Sequence, residues 1–113
     1  MTAFRVLLVV LITALVAYTV VVVANHGMGL FPVFFGDIAA MGWPGQFNAD
    51  FLCFLTLGGL WLAWRHEFSP LGCAMGAFVY LGGAPFLMTY ILIQTFRTNG
   101  DMTAVLVGQR RAG

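Results

Sequence analysis

The chain has 113 residues, with five arginines, no lysine and four acidic side chains, a net charge of +1 and a mean hydropathy of +0.95. Charged residues make up 8% of it, against roughly 25% in an ordinary soluble domain. That is too few to build a water-facing surface, so lipid must cover much of the chain. A single membrane domain over 1–113 is all this length allows. No basic cluster with interleaved aromatics is present, so nucleic acid is not an expected partner.

The first apolar run, residues 6–24, follows Arg5 and is almost unbroken Val, Leu, Ala and Ile. As a helix it is about 28 Å long, enough to span a bilayer. A signal peptide is the rival reading, but the run is longer than the usual apolar region of one. Asn25-His26-Gly27 ends it, Gly serving as a C-terminal cap. The connection that follows is apolar but too short to span, and Asp37 sits in its middle. Pro32 suits a first helical turn, and residues 32–41 read as a short interfacial helix with Asp37 toward water.

The second span, about residues 47–64, is bounded by Trp43 at one end and by Trp61, Trp64 and Arg65 at the other. Aromatics at both ends with an Arg just beyond are interface anchors. Asn48 and Asp50 near its start are the best polar pair in the chain. Near a span's start a carboxylate can serve as a proton or cation site. The plainer reading makes Asn48 the N-cap and puts Asp50 in the first turn, where the helix dipole favours negative charge.

Residues 65–70 form a tight connection, so the second and third spans are expected to be antiparallel neighbours. The third span, about 71–96, would be about 39 Å long as one helix, so it should tilt or project. Gly82-Gly83-Ala84-Pro85 interrupts it. Pro85 cannot donate a backbone hydrogen bond, which predicts a kink. Arg97 closes the span, Asn99-Gly100 turns the chain, and Asp101 can cap a short C-terminal helix over 102–107. Arg110 and Arg111 then lie near anionic headgroups. Three full spans would put the N-terminus and the 65–70 connection on one side and the tail on the other. The 25–46 connection lacks cations, which favours the N-terminus inside; the paired arginines of the tail argue the other way.

Little in the sequence carries chemistry. His26 and His66 lie outside opposite ends of spans and cannot share an ion, and no His or Cys pairing has metal-ligand spacing. Cys53 and Cys73 are separated by on the order of 20 Å in depth, too far for a disulfide. No Ser-His-Asp spacing, phosphate loop or paired carboxylates occur. Neither a metal nor a cofactor is expected, although the aromatics suit contact with lipid or pigment. Tyr80, Thr89, Tyr90 and Gln94 are polar handles that, in lipid, hydrogen-bond across helices. Gly58, Gly59 and the stripe Gly72, Gly76, Gly83, with Pro85 beside it, offer close helix packing, within the chain or to a partner.

Gly29-Leu30 with Phe34-Phe35, then Phe47, Asp50 and Arg65, and finally Gly83-Ala84-Pro85-Phe86-Leu87 before Tyr90 form an order of features. In this the chain resembles an uncharacterised family of small bacterial three-span membrane proteins. The resemblance covers most of residues 5–97 and leaves out the tail. It implies an integral protein of the bacterial inner membrane and brings no catalytic residue with it. The expected fold is all-α, with three transmembrane helices, a short interfacial helix between the first two and a short C-terminal helix. The expected function is a non-catalytic accessory subunit, packing in a larger assembly such as a redox or photosynthetic complex, or on copies of itself. A homo-oligomeric transporter of ions or small solutes is the alternative.

Overall fold

A computed structural model describes residues 1–112. The fold is all-α. Helix α1 (Thr2–His26), α3 (Trp43–Arg65) and α4 (Pro70–Arg97) are long and apolar enough to cross a membrane. Shorter helices are α2 (Leu30–Ala40) between the first two, and α5 (Met102–Val107) and α6 (Gln109–Ala112) after the third. The interfacial helix begins two residues earlier than expected, at Leu30, with Pro32 still in its first turn. Likewise α3 begins at Trp43 instead of Phe47, because Pro44 is tolerated in its first turn.

Helix α1 is straight and nearly bare. Its backbone is satisfied internally, which is what lipid demands, and Leu8 is its only buried residue. It rests on α4. Helix α2 lies against the start of α3. There Gly45 is buried, and a Cβ on it would collide with the carbonyl of Asp37. That crossing is open only to glycine.

The core lies between α3 and α4, around Leu55, Leu62, Val79 and Tyr90. The path of α4 is the main departure from the sequence reading. Its first half packs antiparallel to α3, as the short 65–70 connection requires: Thr56 Oγ1 is 2.7 Å from Tyr80 OH, and Gly59 packs on Gly76. Its second half runs parallel to α3: Gly58 lies against Leu87, the Trp61 ring is 6.1 Å from that of Tyr90, and Arg65 donates to Gln94. Gly72 and Tyr90 both contact His66, whereas eighteen residues of straight helix would hold them about 27 Å apart. Helix α4 is therefore two half-helices folded back on each other, not a single rod of about 39 Å.

Gly83 makes the reversal, with φ 60° and ψ −150°, a region essentially confined to glycine. Pro85 opens the returning half, where its missing N–H removes one donor that a new helix start would leave unpaired. Phe78 and Phe86 close edge to face behind the turn, with ring centroids 4.9 Å apart.

The fold-back changes where the tail lies. Three full spans would put it opposite the N-terminus; the returning half of α4 carries it to the same end. Met1 lies beside Gly100, Arg5 is bonded to Thr95, and Arg110 is paired with Glu67. All five arginines consequently share one end of the molecule.

Candidate functional site

The densest polar cluster lies at that end, around Arg65. The sequence pattern predicts an interface anchor at this residue. Instead its side chain is buried, 9% exposed. Its Nε donates to the carbonyl of Val105 at 2.6 Å and its Nη1 to Tyr90 OH at 2.8 Å. Its Nη2 donates to the carbonyl of Ala104 at 3.1 Å and to Gln94 Oε1 at 3.2 Å. The guanidinium also faces the Tyr90 ring, 5.5 Å from its centroid. Among the described residues no carboxylate pairs with it, the one ion pair being Arg110 with Glu67. Taking an ion out of water costs several kcal/mol. Here neutral oxygens offset that cost, and a planar fork is what can reach four of them at once.

Tyr90 extends the cluster to His66, whose Nε2 is hydrogen-bonded to the same hydroxyl. The Tyr90 hydroxyl, which already accepts from Arg65, shares one further hydrogen bond with His66 Nε2. Burial, then the charges of Arg65 and Arg97, push the His66 pKa below the ordinary histidine value. His66 lies just past the end of α3.

The tail supplies the carbonyls. Asp101 caps α5 by accepting from the backbone N–H groups of Thr103 and Ala104, and Val105 and Ala104 are buried against the bundle. Trp61 Nε1 donates to the carbonyl of Leu106 at 2.9 Å. Arg111 lies over the Trp64 ring, 4.2 Å from its centroid. Gln109 Nε2 donates to the carbonyl of Arg97. Arg65 and Trp61 thus fasten the tail across the ends of α3 and α4.

The remaining sequence candidates fall elsewhere. Asn48 is not an N-cap, since α3 starts five residues earlier; its Nδ2 donates to the carbonyl of Phe34 and holds α2 in place. Asp50 is exposed and makes no hydrogen bond with the described residues. Two positions apart on one helix, the pair face different directions and form no joint site. Trp43 is exposed at the far end, against Phe47. Gly59, Gly72 and Gly76 do pack helices, within the chain: a Cβ on Gly76 would lie 2.6 Å from the carbonyl oxygen of Gly59. Gly83 leaves the stripe to form the turn. Gly58 lies instead in an apolar groove of about 470 Å³ between α3 and the returning half of α4, with Phe51, Phe54, Gly83 and Leu87. The cysteines are free and exposed, and no group of three metal-ligating side chains occurs among the described residues.

Tyr90 and Gln94 act as the cross-helix partners their positions suggest. The burial of Arg65 was not legible, because its acceptors lie 39 and 40 residues away in a tail expected on the other side. The Gly82–Pro85 break in an overlong span was the available signal. The sequence matches no protein-family model, no curated protein and no solved structure.

Proposed function

We propose that this protein is a small, non-catalytic accessory subunit that packs against larger partners or further copies of itself in the bacterial inner membrane. The turn at Gly83 carries the reading. It sits at membrane depth, roughly 20 Å from the Arg65 end, by the rise of α3 from Arg65 to Phe51, which touches it. Non-helical backbone at such depth is tolerated where protein covers it or water fills a cavity. The groove beside it is apolar, which favours protein. Leu81 next to the turn is 65% exposed, although residues 16–24 of α1 approach Pro85. The polar cluster also suits a structural role, since the hydrogen bonds of Arg65 are spent inside the chain. The bacterial location rests on the resemblance over residues 29–35, 47–65 and 83–90.

Gentle extraction into lipid nanodiscs followed by native mass measurement tests this reading. An assembly heavier than one chain is expected. A lone monomer at every extraction strength would overturn it.

One observation favours a second reading, a homo-oligomeric transporter: broken helices with Gly and Pro at the break are how many transporters build a site. Its test is flux in proteoliposomes. Wild-type flux reduced by Gly83→Ala or Asp50→Asn would establish it, and no flux under any gradient would remove it.

A further inference from the structure

We propose that the arginine-bearing end of the molecule is a docking surface for anionic phospholipid headgroups of the cytoplasmic leaflet, so that the N-terminus, the 65–70 connection and the tail all face the cytoplasm. The inference is independent of the subunit reading and rests on where the fold-back places charge. Arg5, Arg65, Arg97, Arg110 and Arg111 share this end with only Glu67 and Asp101, a net of three positive charges. The far half holds Asp37 and Asp50 and no Arg or Lys, a net of two negative charges. In a chain with charges this sparse, such separation is a strong orientation signal, because arginines near span ends are retained on the cytoplasmic side.

The side chains divide by availability. Arg65 is spent inside the protein. Arg97 is exposed and makes no hydrogen bond or ion pair through its side chain with the described residues. Arg110 is 85% exposed, and its partner Glu67 is itself 42% exposed. Arg111 and Arg5 lie over Trp64 and Phe96, respectively. These aromatic platforms belong at the level of the headgroups. The apolar flank of α1 continues from Arg5 into the hydrocarbon. An anionic headgroup fits this surface better than an acidic protein, because the cations form a rim around apolar helices instead of a recessed pocket. The negative potential of the cytoplasmic leaflet is the matching field.

Two measurements on the full chain test the proposal. Alkaline phosphatase, active only outside the cytoplasm, is fused after Gly113 or inserted between Met28 and Gly29, where Gly27 and Gly29 have open space beside them. The insertion should be active and the tail fusion at least about tenfold less so. An active tail fusion overturns the orientation. Protein released from nanodiscs of equal phosphatidylglycerol and phosphatidylcholine should retain the anionic lipid about threefold over the neutral one. The triple variant Arg97→Gln, Arg110→Gln, Arg111→Gln should bring the ratio near one while Arg65 still holds the tail. Equal retention by the wild type, or an unchanged preference in the variant, overturns the docking surface.

Discussion

Helices α1 and α4 are close in length, 25 and 28 residues, and both read as membrane spans, yet they follow different paths. Helix α1 has no glycine or proline within it and runs straight through. Helix α4 carries Gly72, Gly76, Gly82, Gly83 and Pro85, and it packs, turns and returns. Apolar length sets where a segment can reside. Backbone permission, supplied by Gly83 and Pro85, sets the path it takes there. The polar groups follow the same division: α1 is tied to the bundle by Arg5 on Thr95, whereas α4 brings Tyr90 and Gln94 to Arg65.

The largest effect expected on this contrast is from Arg65→Leu. It removes four hydrogen bonds, among them the one from Arg65 to the Val105 carbonyl, while the Ala104 carbonyl keeps only the Gly108 N–H, at a cost of about 4 kcal/mol. Equilibrium unfolding in mixed micelles should register the loss, with α5 amides exchanging early. Unchanged stability with a protected tail would mean the cluster does not hold it. Gly76→Leu comes next. Its side chain would be driven into the Gly59 backbone and force α3 and the first half of α4 apart, for about 3 kcal/mol. In the same assay, a neutral Gly76→Leu would place that contact outside the chain. Gly83→Ala puts a Cβ where φ is positive, costing about 2 kcal/mol, and should lower the unfolding midpoint.

A smaller effect comes from pH. The pKa of His66 is lowered in the fold, so the unfolded chain binds the proton more readily than the folded one. The neutral form's contribution is therefore complete above about pH 6.5, the ordinary histidine value, and is lost as pH falls below it. Burial and the charges of Arg65 and Arg97 oppose the charged form. Hydrogen exchange of α5 should quicken below that pH in the wild type and respond less in His66→Asn. Equal pH responses in the two would detach His66 from the tail. At the bottom of the scale, Val9→Leu on the bare flank of α1 should change stability by less than about 0.5 kcal/mol. A loss above 1.5 kcal/mol would show that α1 is packed more firmly than its exposure indicates.

Much of this architecture is legible in the sequence because lipid leaves few choices. Residues 6–24 and 47–64 had to be helical, Gly27 and Asn99-Gly100 follow helix ends, and Asp101 caps α5 as its position predicts. The break at Gly82–Pro85 was legible in position but not in size, since a Gly-Pro pair permits a bend of any angle and contacts with α3 choose it. The polar site was the least legible part. Arg65 beside Trp64 has the pattern of an interfacial anchor, and only the returned tail, through the carbonyls of Ala104 and Val105, converts it into a buried tie.

The fold-back of α4 is the central claim, and the separation of its two ends tests it most directly. Leu71 and Phe96 are both exposed and accept spin labels once Cys53 and Cys73 are replaced by alanine. Electron–electron dipolar spectroscopy in nanodiscs should give a separation of about 20 Å or less, because both ends flank Arg65 and His66. A straight helix would hold the two positions about 38 Å apart, and a distance distribution centred there would contradict the account.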